Sequence, residues 1–125
     1  MANKAIIGIT RWAETQRELR DMARRLDAGE ALPDADYHLN FADAAQLFGE
    51  LTPARLALLE ELKKAGPVSV YALAQRLGRN YSNVHRDVKV LMEHDLIAKD
   101  DAGKVCVPWD SVELRLCFGT EQTAA

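Results

Sequence analysis

Five polar residues fall at helical spacing within one short stretch: Arg79, Ser82, Asn83, Arg86 and Lys89. Their types suit recognition rather than bond-making. An arginine can bridge the two acceptors on the edge of guanine, and an asparagine can match the donor and acceptor of adenine. Lysine and further arginine side chains hold phosphate oxygens, as do the N–H groups at a helix start. On this reading Ser82, Asn83 and Arg86 face base edges. Arg79 and Lys89, with His85 at the edge, face phosphates, and Tyr81 adds contact at the start of the helix. A charged helix face by itself is usually only a solvated face, so the weight falls on the neighbouring elements.

Those elements follow from hydrophobic period. Val84, Val88, Leu91 and Met92 form one apolar stripe, with Tyr81 at its border, and predict a helix over 80–94 whose other side is polar. Only Glu93 opposes the cations near the axis of that polar side. Upstream, Val70, Leu73, Ala74 and Leu77 predict a shorter helix, capped by Ser69 and stopped by Gly78. Downstream, the strand-like runs 96–99 and 104–107 flank Asp100-Asp101-Ala102-Gly103, a hairpin signal. Lys99 and Lys104 flank the hairpin tip as further candidate phosphate contacts. Asp100 and Asp101 are repelled by phosphates, which argues against deep insertion of that tip into a minor groove. Helix, turn, helix, hairpin is the order of a winged helix-turn-helix.

The run VSVYALAQRLGRNYSNVHRDVKVLMEHDLI, followed by DDAGK and VCVPW, resembles prokaryotic winged helix-turn-helix regulators of the MarR/ArsR type. It is most similar to small antitoxin-like DNA-binding proteins in which LGR, Y, NVHRDV, L and LI recur at this spacing. The resemblance covers about Leu51 to Phe118. It implies a cytoplasmic, homodimeric, sequence-specific DNA-binding transcription regulator, either a repressor or an antitoxin partnered by a cognate toxin. MarR-type proteins usually carry long dimerisation helices on both sides of the winged unit, and this sequence departs from that pattern on the C-terminal side.

The remaining chain supplies scaffold. Ala5 to Ile9 predicts a strand ending at Thr10, a candidate N-cap, and Arg11 to Ala28 predicts a charged helix with a narrow apolar seam of Trp12, Leu19, Met22 and Leu26. The seam packs either on the winged unit of its own chain or on the same helix of a second subunit, in which case those four residues are the dimerisation set. Gly29 to Asp36 has the composition of a linker, and Tyr37 to Phe41 alternates as a half-buried strand with His38 on its polar side. Ala42 to Phe48 predicts a short helix ending at Gly49. Thr52-Pro53 opens a helix whose core residues are Leu56, Leu59 and Leu62, with Leu58 on the flank, and Gly66-Pro67 closes it. Val112, Leu114, Leu116 and Phe118 predict a last strand with one buried face. The expected class is α+β and mainly helical: an extension over 1–50, a winged helix-turn-helix domain over 51–119, and a frayed tail over 120–125.

Composition narrows the function. Hydrophobic residues at 48% and charged residues at 28% are ordinary for a folded domain. A formal charge of −3 counts against a nonspecific nucleic-acid coat, yet four of the cations and one acid, Asp87, lie between Arg76 and Lys89. Cys106 and Cys117 sit among apolar residues, so reduced, buried thiols are expected. No histidine has a partner at metal-ligand spacing, and no phosphate loop or nucleophile motif occurs, so neither metal nor cofactor nor catalysis is expected. The competing expectation is a winged-helix protein-interaction module without DNA binding, with Trp12, Leu19 and Leu26 as its contact seam.

Overall fold

A computed structural model describes residues 4–9, 12–29 and 36–118. The expected cap at Thr10, most of the expected linker and the tail over 120–125 lie outside the described residues, as does the side chain of Trp12. The protein is α+β, and the described residues form five helices and two small sheets in the order β1 (Lys4–Ile9), α1 (Trp12–Asp27), β2 (Tyr37–Phe41), α2 (Ala44–Glu50), α3 (Pro53–Ala65), α4 (Val70–Leu77), α5 (Tyr81–Glu93), β3 (Ala98–Lys99), β4 (Val105–Cys106), β5 (Ser111–Arg115). Among the described residues no helix is long and apolar enough to cross a membrane. Two compact units form: 1–47 with 111–125, and 48–110.

In the first unit the strands make a parallel sheet of order β2-β1-β5. β1 is central, and Ala5, Ile6 and Ile7 are all buried, so both of its faces are covered. That explains why it reads as a continuous apolar run rather than an alternating one. Gly8 is placed where a Cβ would meet the Arg115 carbonyl oxygen at 3.1 Å, which lets β5 come close. β2 keeps the alternation expected of it, with His38 exposed and Phe41 buried. The segment expected as one domain over 51–119 therefore divides after Asp110, because Ser111–Arg115 hydrogen-bonds to β1. The last strand also differs from expectation. It stops at Arg115, Leu114 is exposed, and Phe118, beyond the strand, is 80% exposed. Cys117 is likewise exposed and Cys106 half-buried, so neither is the buried thiol expected.

The second unit is built on three helices. α3 starts as the sequence requires, with Thr52 Oγ1 accepting from the Arg55 N–H (3.3 Å) and Pro53 in the first turn. Leu58 is fully buried beside Leu59 and Leu62, whereas Leu56 is only half-buried; the buried face is shifted from the expected one toward Leu58. α2 runs through Gly49 to Glu50 instead of ending at the glycine. Ser69 Oγ caps α4 by accepting from the Ala72 N–H (3.1 Å), and Gly78 ends it in the left-handed region at φ 64°. Val84, Val88 and Leu91 of α5 are buried together with Leu73, Leu96, Ile97, Val105 and Val107. The β3–β4 hairpin is shorter than the expected strands. Asp100 Oδ1 accepts from the Ala102 and Lys104 N–H groups (both 2.9 Å), which fixes its loop. Val68 pairs with Val105 through two backbone hydrogen bonds of 3.1 and 2.8 Å, tying the start of α4 to the hairpin.

Gly78 offers a clean check of the turn. Nothing lies within 4 Å of the Cβ that alanine would add, so Gly78→Ala should destabilise only through its backbone angle, by about 1 kcal/mol in chemical denaturation. A loss several times larger would mean that the turn itself had rearranged.

Candidate nucleic-acid interface

The polar side of α5 stands open. Ser82, Asn83, His85, Arg86 and Lys89 are all exposed, while Val84, Val88 and Leu91 anchor the opposite side in the core. Ser82, Arg86 and Lys89 follow one another at four- and three-residue steps along a single line of the helix, with Asn83 and His85 to either side. Among the described residues neither Arg86 nor Lys89 forms an ion pair, so both guanidinium and ammonium are available to a ligand. Tyr81 is 48% exposed and belongs to this surface more than to the core; its ring centroid lies 5.8 Å from that of His85.

Asn80 supplies the N-cap of α5, its side-chain oxygen accepting from the Ser82 N–H (2.8 Å). The sequence carries the signal, since asparagine is a favoured capping residue, and the helix expected over 80–94 starts one residue later, at Tyr81. The cap fixes the first turn of the helix, and so the direction in which Ser82 and Asn83 leave it.

Arg79 does not join the open face. Its Nη2 donates to Asp87 Oδ2 at 2.8 Å, and Asp87 Oδ1 accepts from Arg55 Nε at 3.0 Å. Arg55 Nη1 in turn donates to the Glu50 carbonyl oxygen at 2.8 Å. Arg79 Nη1 is buried without a hydrogen-bond partner. The phosphate-contact role expected of Arg79 is thus replaced by a structural one, because a partly buried carboxylate captures the guanidinium. Asp87 was legible as something other than surface charge: it lies three residues after Val84 and four before Leu91, inside the apolar stripe. Burial pushes its carboxyl pKa up. The hydrogen bonds and charges of Arg79 and Arg55 outweigh that and hold it below the ordinary carboxylate value.

The hairpin brings a further cation to α5. A cleft of about 240 Å³ is lined by Val70, His85, Val88, Lys89, Met92, Lys99 and Val105. Three of the expected contact residues, His85, Lys89 and Lys99, thereby share one rim over an apolar floor. Lys104 is exposed on the other side of the loop and does not line the cleft. At the far end of α5, His94 Nε2 lies 3.3 Å from Glu50 Oε2, a contact that joins its C-terminus to the end of α2 rather than to any ligand.

The family model described as HVO_A0114 matches residues 50–114, just over half of the 125 residues, and the chain belongs to that family. No curated protein matches the chain. No solved structure matches it.

The Asp87 cluster sets a testable stability. Asp87→Ala should cost about 3 kcal/mol at neutral pH, the low end for breaking a buried ion pair, because Arg79 keeps some solvent. The sign of the pH effect follows from the lowered folded pKa: the contribution is full above the unfolded value of about 4 and is lost as pH falls through the folded value below it. Urea titrations across that acid range should show this loss in the parent and not in Asp87→Asn; equal pH slopes for the two would remove Asp87 from the account.

Proposed function

We propose that this chain is a sequence-specific, double-stranded-DNA-binding transcription regulator, acting as a repressor or as an antitoxin. In this reading residues 51–110 are a winged helix-turn-helix, with α4 and α5 as the helix-turn-helix and β3–β4 as the wing. α5 enters the major groove, which is wide enough for one helix. The observation that carries the reading is the outward row Ser82, Asn83, Arg86 and Lys89 on a helix fixed in the core from behind and capped at its start. Arg86 and Asn83 read base edges, and Ser82 and Tyr81 contact the site near the helix start. Lys89, Lys99 and His85 hold phosphates along the shared rim, and Lys104 holds a phosphate beyond the wing tip. Arg79 acts by holding the turn. The local cations bind against an acidic whole, so affinity falls with salt as phosphate contacts release counterions.

A second reading keeps the same fold as a protein-interaction module without DNA. The net charge of −3, the acids at the hairpin tip and the uncovered seam of α1 favour it.

Selection of random duplex DNA on the purified protein separates the two: a regulator enriches a defined sequence, and an interaction module enriches none. On the selected site, Arg86→Ala should cost about 1–3 kcal/mol and relax preference at one base pair. Lys89→Ala should weaken all duplexes alike and lower the salt slope by about one. Parent-like affinity of Arg86→Ala would show that this guanidinium reads no base.

A further inference from the structure

We infer that Tyr71, on the outer side of α4, donates its phenolic O–H to a phosphate of the DNA backbone, as a second grip beside the α5 surface. The inference rests on the duplex-binding reading and adds to it a contact from another helix, made by a group without charge. Tyr71 is 61% exposed, so its ring is not spent on the core. One turn further along, the Gln75 side-chain amide donates to the phenolic oxygen at 3.0 Å. That bond uses a lone pair of the oxygen and leaves the phenolic proton, which makes no hydrogen bond among the described residues. A phenol held in this way is a pre-set donor.

Position decides what it donates to. The inward stripe of α4 is Leu73 and Ala74, with Val70 and Leu77 half-buried beside them. Arg76 leaves one flank of that stripe and pairs with Glu61 of α3 at 3.0 Å, so that flank faces α3. Tyr71 and Gln75 leave the other flank. Val70, next to Tyr71 in the chain, lines the cleft with His85, Lys89 and Lys99. The start of α4 therefore stands beside the basic rim, at the Lys89 end of the outward row. No aspartate or glutamate occurs from Gly66 to Arg86, so neither α4 nor the turn after it carries an acid that would repel a phosphate. Glu61, which does touch α4, lies on the opposite flank and is already held by Arg76. A hydroxyl donating to an ionised oxygen makes a short, strong bond, and tyrosine is among the residues that fix a protein on the duplex without reading its sequence.

Fluorescence anisotropy of the full chain on the duplex enriched from random DNA, and on unrelated duplexes, tests the assignment. Tyr71→Phe keeps the ring and removes only the hydroxyl. It should raise the dissociation constant roughly three- to tenfold on every duplex alike. Because no charge is lost, the salt slope should stay at the parent value, which separates this contact from that of Lys89. Gln75→Ala should raise the constant about twofold in the parent and add nothing to Tyr71→Phe, since it acts by holding the phenol. Parent-like affinity of Tyr71→Phe overturns the assignment, and so does a changed base preference, which would put the hydroxyl on a base edge. Equal costs of Gln75→Ala with and without the hydroxyl overturn the positioning role of Gln75. A parent that binds no duplex removes the regulator reading itself, whereas a parent that binds and is matched by Tyr71→Phe removes only this contact.

Discussion

The organisation of the 48–110 unit depends on one carboxylate. Asp87 lies within the inward side of α5 and holds Arg55 from α3 and Arg79 from the turn before α5. A charge in that position is costly unless paired, and here both oxygens are occupied by guanidinium donors at hydrogen-bond distance. The cluster joins three segments that the apolar core alone would hold in place less specifically, since van der Waals contacts tolerate small rotations of a helix and a two-armed ion cluster does not. The roll of α5 about its axis is set from inside, and with it the direction of every residue on the outer side.

This arrangement sorts the basic residues of the stretch into two kinds. Arg55 and Arg79 spend their charge on Asp87, Arg76 pairs with Glu61, and Arg86 and Lys89 remain open. An acidic chain can therefore carry a small cationic surface, because Asp87 and Glu61 are already held by arginines and, among the described residues, no acid pairs with Arg86 or Lys89. The hairpin extends that surface by placing Lys99 on the rim shared with His85 and Lys89. Its tip works the other way: Asp100 is consumed by the backbone of its own loop, which explains an acid at that position without any reference to a ligand.

The chain order places the whole helical unit between β2 and β5, two strands that flank β1 in one parallel sheet. The 48–110 unit is thus continuous in sequence, whereas the sheet is completed only when Ser111–Arg115 has been added. The family match over 50–114 crosses that division and takes in most of β5.

Local chemistry determined much of this from the sequence. Thr52, Pro53, Ser69 and Gly78 marked helix ends because caps and left-handed turns involve residues only a few positions apart. The period of Val84, Val88 and Leu91 likewise fixed which side of α5 is inside. The face of α3 was read less well, with Leu58 taken for a flank, because four leucines in seven positions leave the period ambiguous. Tertiary structure alone decided the partner of Arg79, since the acid that captures it is matched by an arginine 32 residues away on α3. It also decided where β5 belongs and that Phe118 is uncovered. Alternation tells which side chains share a face, but a parallel neighbour comes from a distant part of the chain, and what covers a face is a property of the assembled layers.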